Sequence, residues 1–300
     1  MDDASPLTGL RGFALLIIVV AGFAGADLLP AEFGFGLEQI GLMLLVVIHG
    51  YLLAMRYLPQ DFERTAIVAF LGRRARSLLP VYFALLVVSI AITRWWDEWP
   101  YPLHSLGEAA RAFLLVDAPG ALWIVPVLVH CYLLFVIAWW ALSRGLTGAA
   151  VAAVAVLATV PLLLGWGPSS HQFVSAVAGY FFAGVGLGLT WSARVEPFFE
   201  AHRSRVAVVG AVAFVLACIN LPAVRVAHGW TLGLSVMAAT WFDPLSALIV
   251  VTLVAVTAAR PPSLIVCSAP PLQFLGRHAY VFYLVAPIAL HALPGSGVLA

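Results

Sequence analysis

Residues 121–142, ALWIVPVLVHCYLLFVIAWWAL, decide the fold. This stretch holds no Asp, Glu, Lys or Arg, and its single histidine is His130. As a helix rising ~1.5 Å per residue it would be about 33 Å long, enough to cross the ~30 Å hydrocarbon core of a bilayer. Comparable windows lie on either side of it, at 12–29, 35–55, 77–93, 146–166, 173–191, 206–223, 244–259 and 279–293. The expectation is an all-α, polytopic membrane helix bundle of about nine transmembrane helices. The count is loosest around 229–259, where 229–241 is a further apolar run that could be a re-entrant segment.

Composition agrees. With 63% hydrophobic and 10% charged residues, the 300-residue chain has too little polar surface for a soluble globule. A net charge of +1 offers no basic field for nucleic acid, so the expected partners are membrane lipids and other membrane subunits. Cys131, Cys218 and Cys267 are scattered through apolar sequence without metal-ligand spacing and read as small core side chains.

The chain contains no lysine, so its 15 cations are all arginines. With a cytoplasmic N-terminus and nine helices, Arg11, Arg56, Arg64, Arg73, Arg74, Arg76, Arg144, Arg194, Arg203, Arg205, Arg260 and Arg277 fall inside, and only Arg94, Arg111 and Arg225 fall outside. That asymmetry obeys the positive-inside rule and puts the C-terminus outside. Ala24-Gly25-Ala26 resembles a signal-peptidase site, but the preceding 1–6 segment is acidic, so the first helix is expected to stay.

No composition shift or internal repeat divides the chain, which reads as one domain over 1–300. Residues 59–76 begin with Pro59-Gln60-Asp61 and interleave Phe62, Ile67, Val68 and Phe70 with charges, a pattern for a helix lying along the inner surface. Residues 95–119 carry an aromatic belt, Trp95, Trp96, Trp99 and Tyr101, followed by an amphipathic 103–116 stretch suited to a lid over the outer mouth. Gly184 and Gly188 have small-xxx-small spacing, expected to serve packing within the chain.

Several segments together carry a family resemblance. LTGLRGFA at 7–14, GLMLLVVIHGY at 41–51, FLGRRARSLLPVY at 70–82, LWIVPV at 122–127 with YLLF at 132–135, and FLGRHAY at 274–280 with YLVAP at 283–287 are similar to bacterial acyltransferase family 3. Its members are integral membrane enzymes that acylate sugars and lipids. The resemblance implies that the Arg73, Arg74 and Arg76 cluster, with Arg11 and Tyr82, faces acyl-CoA or a lipid headgroup. Guanidinium forks suit phosphate oxygens and stay charged beside lipid. No other cofactor and no metal is implied; acyl-CoA would be a donor substrate. The family commonly has one more helix than the nine expected here.

The chain departs from the pattern where the chemistry lies. The essential histidine that follows the arginine on the first helix is replaced by Gly22, an acid by Met43, a serine by His49, and a further histidine by Ala286; the glutamate usual in the fourth helix is missing. Acyl transfer to a hydroxyl needs a base, and histidine serves best near neutral pH. His130 and His49 are the histidines well inside expected spans, and so are the candidate catalytic residues. No Gly-x-Ser-x-Gly elbow, His-Glu-x-x-His or paired-carboxylate motif is present. Nor do paired intramembrane charges suggest a transporter.

The first expectation is a catalytically degenerate acyltransferase fold serving as a structural or lipid-binding subunit in a bacterial cytoplasmic membrane. The alternative is an active, divergent enzyme moving an acyl group from cytoplasmic acyl-CoA to a carbohydrate or lipid hydroxyl on the outer face.

Overall fold

The computed structural model describes residues 6–29, 37–96, 99–146, 171–191, 195–219, 244–259 and 267–292. In chain order the helices are α1 (Pro6–Gly25), α2 (Leu37–Tyr57), α3 (Arg64–Ile92), α4 (Leu106–Phe113), a 3-10 turn (Gly120–Trp123), α5 (Ile124–Ser143), α6 (His171–Thr190), α7 (Glu196–Ala201), α8 (Arg203–Ile219), α9 (Pro244–Ala258), α10 (Pro270–Arg277) and α11 (Ala279–His291). No strand occurs among the described residues. Four helical stretches among them are long and apolar enough to cross a membrane: Pro6–Gly25, Leu37–Tyr57, Arg64–Ile92 and Gly120–Ser143. Val177–Thr190, Leu248–Ala258 and Ala279–His291 are shorter and apolar. The expected 146–166 span and the 229–241 run fall outside the described residues.

Two boundaries differ from expectation. The first helix stops at Gly25 because Asp27 turns left-handed (φ 58°) and the Leu28 and Asp27 amides donate back to Phe23 and Ala24, which satisfies the last carbonyls. Leu115 ends α4 and Gly145 ends α5 by the same paired bonds. Of the three, only Gly145 has the residue type that advertises such an ending.

The second difference is at 59–76, expected as a separate surface helix. Helix α3 begins at Arg64 and runs unbroken to Ile92, so the arginine cluster lies within the helix and not ahead of it. Its 29 residues give about 43 Å, the full bilayer thickness with headgroups, so one end can hold arginines at headgroup level without interrupting the helix. Pro80 lies inside α3 and withholds the amide that would otherwise bond the Arg76 carbonyl.

The described chain divides into two compact units, 1–57 with 179–282, and 58–178 with 283–300. In the first, α1 packs against α2, α9 and α10, and α9 against α2 and α8. Lipid tails are as apolar as leucine, so these helices associate through close packing rather than a hydrophobic drive. Glycines provide it. A methyl on Gly12 would strike the Leu272 carbonyl and lie 3.0 Å from the Gly276 amide nitrogen; one on Gly276 would strike the Thr8 carbonyl and lie 3.0 Å from the Gly12 nitrogen. Gly9 similarly abuts the Cys267 carbonyl, and Gly41 lets α2 reach Ile18 and Ala14 on α1. Gly184 meets Val47 and Tyr51, and Gly188 meets Ala54, so these two glycines pack against α2 within the chain, as expected.

In the second unit α3 packs against α4 and α5. The 93–103 connection is fastened to the end of α3 by buried polar bonds. Trp99 Nε1 donates to Ser89 Oγ (2.9 Å), Thr93 Oγ1 donates to the Ser89 carbonyl (2.7 Å), and the Leu103 amide donates to Thr93 Oγ1 (3.2 Å). The Tyr101 hydroxyl, pushed up in pKa by burial, donates to the Leu284 carbonyl.

Candidate functional site

On α3, Phe70 and Arg74 are one turn apart and share a face, whereas Arg73 and Arg76 are exposed. Phe70 is fully buried against Tyr132 (centroids 5.9 Å) and Phe135 (5.7 Å) of α5. Arg74 follows it inward. Its guanidinium carbon lies 5.6 Å from the Tyr132 ring centroid and 5.9 Å from that of Phe70, and its Nε is buried without a hydrogen-bond partner among the described residues. Two aromatic rings therefore flank the guanidinium cation. Further along α5, Trp139 donates from Nε1 to the Gln60 carbonyl (3.2 Å) and meets Phe62 edge-on, which anchors the segment leading into α3.

The structure thus joins the arginine cluster to α5 two residues from His130, which is itself half-buried. Tyr82 is placed differently from its expected company. It is fully buried, two turns beyond Arg74, and its hydroxyl donates to the Ala112 carbonyl of α4 (2.7 Å). That bond ties the amphipathic helix expected as a lid to the body of α3. Arg11 and His49, both half-buried, belong to the other unit, on α1 and α2. Gly22 is a half-buried position of continuous helix, Met43 is 5% exposed in the α2 core, and Ala286 is half-buried on α11.

Sequence reading missed the start of α4. Ser105 caps it, its Oγ accepting the Glu108 amide (3.1 Å) while Glu108 Oε2 accepts the His104 amide (2.9 Å). The signal was the S-x-x-E spacing of a capping box. The same turn of α4, with the 102–103 and 117–119 segments, lines a cavity of about 130 Å³. No group of three or more His, Cys, Asp or Glu suited to a metal occurs among the described residues.

Long apolar helices meeting through glycines, with an aromatic-clamped arginine cluster at the start of one of them, define a multi-pass membrane protein. A family model described as an acyltransferase domain matches residues 6–294. The chain belongs to acyltransferase family 3. Comparison with curated proteins gave no match, and comparison with solved structures gave none.

Proposed function

We propose that this chain keeps the acyltransferase-3 fold as a single domain over 1–300 but has lost its chemistry, and acts as a structural or lipid-binding subunit of a complex in the bacterial cytoplasmic membrane. It has about nine membrane-spanning helices, a cytoplasmic N-terminus and an extracytoplasmic C-terminus. The observation that carries this reading is the continuity of α1 from Pro6 to Gly25. An unbroken helix holds the register between Arg11 and Gly22, and residues 12–25 contain no ionisable side chain that could replace the missing base. The burial of Met43 where the family resemblance expects an acid supports it.

One observation favours a second reading. Arg74 lies over the Tyr132 ring, two residues from His130, so a donor phosphate held by Arg73, Arg74 and Arg76 would lie on the helix pair that carries a titratable base. In that reading His130, or His49, takes the proton of a carbohydrate or lipid hydroxyl as its oxygen attacks the thioester carbonyl of acyl-CoA. The C–S bond breaks, and the proton passes to the departing thiolate. Tyr82 contributes by positioning α4 rather than by touching the donor.

The test is an acylation assay on cells expressing wild type, His130→Ala, His49→Ala and the double variant, with copurified proteins identified. The subunit reading expects no acylation attributable to the wild type and stoichiometric protein partners. Acylation that disappears in His130→Ala or His49→Ala overturns it.

A further inference from the structure

Helix α4 has two unlike faces. Leu106 is 91% exposed and Leu114 74%, with Phe113 and Val116 also exposed. Trp95, a residue type suited to the membrane interface, is 88% exposed in the same extramembrane segment. At helical spacing Glu108 and Arg111 lie on the side of α4 opposite Leu106 and Phe113, and they line the 130 Å³ cavity with Asp117, Leu103, Pro102 and Pro119. The volume is close to the ~150 Å³ that admits one benzene-sized molecule, so it takes a single small group and not an acyl chain.

The charges name the group. The Arg111 side chain forms no hydrogen bond or ion pair among the described residues, although Glu108 is one turn away. The His104 amide keeps the Glu108 carboxyl below its usual pKa, so it is ionised at neutral pH. Asp117 lines the same cavity, its Oδ1 accepting the Ala118 amide (2.8 Å). One guanidinium beside two carboxylates disfavours a purely anionic ligand. It complements a phosphate joined to a primary ammonium, with the phosphate on Arg111 and ammonium N–H donors on Glu108 and Asp117. Exposed Leu106 and Phe113 on the opposite face set α4 at headgroup depth.

We propose that α4 and its cavity seat the phosphoethanolamine headgroup of a membrane lipid, fixing this segment on the outer leaflet. The choice of leaflet rests on the topology proposed above; the headgroup chemistry does not.

The test is lipid retention by the full chain. The protein is reconstituted in nanodiscs containing equal phosphatidylethanolamine, phosphatidylcholine and phosphatidylglycerol, extracted gently, and its bound lipid weighed by native mass spectrometry. Phosphatidylethanolamine is expected to exceed each of the others about tenfold, the gain from one charge-assisted contact. Phosphatidylcholine falls behind because its quaternary ammonium has no N–H to donate. Arg111→Ala and Glu108→Gln each abolish the preference; the glutamine keeps the capping box, so the helix start survives. Arg144→Ala, remote on α5, retains it. Equal retention of the three lipids, preferential retention of phosphatidylglycerol, an unchanged preference in Arg111→Ala and Glu108→Gln, or displacement of the phospholipid by an added glycolipid overturns the proposal. None of these outcomes depends on whether the chain acylates anything.

Discussion

Replacing Gly12 and Gly276 with alanine tests whether direct backbone contact joins α1 to α10. Each added methyl meets the backbone of the other helix: 2.8 Å from the Leu272 carbonyl carbon for residue 12, and 2.7 Å from the Thr8 carbonyl carbon for residue 276, with carbonyl oxygens closer still. Ordinary contact begins near 3.4 Å, so the helices must part by more than half an ångström along a stretch where backbone, unlike a flexible side chain, cannot swing away. Overpacking of this kind costs ~1–3 kcal/mol, partly offset by the ~0.5–1 kcal/mol that alanine gains over glycine in a helix. One separation relieves both methyls, so the double variant should lose less than the two single losses added, with a coupling of at least ~0.5 kcal/mol. Gly72→Ala is the control. Nothing lies within 4 Å of a methyl there, so it should be neutral or stabilising. Reversible denaturation in mixed micelles, followed by tryptophan fluorescence, supplies all four values. If Gly12→Ala and Gly276→Ala are as stable as Gly72→Ala, the helices do not touch as described.

Three other outcomes follow from the segment around α4. Tyr82→Phe removes the bond to the Ala112 carbonyl, but the Leu115 amide still reaches that oxygen, so the cost should be near ~1 kcal/mol, read as about fivefold faster hydrogen exchange over 106–113. Thr93→Val leaves the buried Leu103 amide without its acceptor, and global stability should fall by ~1–3 kcal/mol in the same micelle titration. Because the His104 amide depresses the Glu108 pKa below 4.5, the capping box contributes fully above that value and is lost as pH falls through the lower folded value; α4 exchange protection should therefore drop in acid for wild type and stay flat for Glu108→Gln.

The long helices were legible in the sequence because a bilayer demands unbroken apolar runs of fixed length, a constraint visible without knowing any contact. Helix ends were less so: Asp27 and Leu115 adopt the left-handed conformation that glycine normally signals, and their stabilising bonds come from the following residues. The fusion of 64–76 with α3 was hidden because charges alternating with Phe62 and Phe70 mimic an interfacial helix, whereas Phe70 is buried by aromatic partners from α5, distant in sequence. The same long-range contact decides which arginine of the cluster turns inward, and no local pattern separates Arg74 from Arg73. The cavity beside α4 was invisible because Glu108, Arg111 and Asp117 converge only once α4 ends in a tight left-handed turn.

The motif residues divide by what the structure asks of them. Gly9 and Gly12 of the first motif meet Cys267, Leu272 and Gly276, so the opening and closing motifs are two sides of one helix contact; Gly50 of the second abuts the Phe181 carbonyl on α6. Phe70 and Arg74 form the contact with α5. These positions retain the family-like residue, and each has a packing reason to do so. Gly22, Met43 and Ala286, where the resemblance expects polar or ionisable groups, make no demand that an inert side chain fails to meet. An unused ionisable group in a bilayer interior costs ~2.5–3.5 kcal/mol on insertion scales, so removing it favours insertion, while substituting a contact glycine separates helices. On the proposed reading, selection for the fold alone is sufficient to keep the first set and release the second. It also makes a distinction that activity loss alone does not: reinstating histidine at position 22 should leave acylation absent and lower the stability of α1 within the bundle, because a lone ionisable side chain at that half-buried position adds an insertion cost.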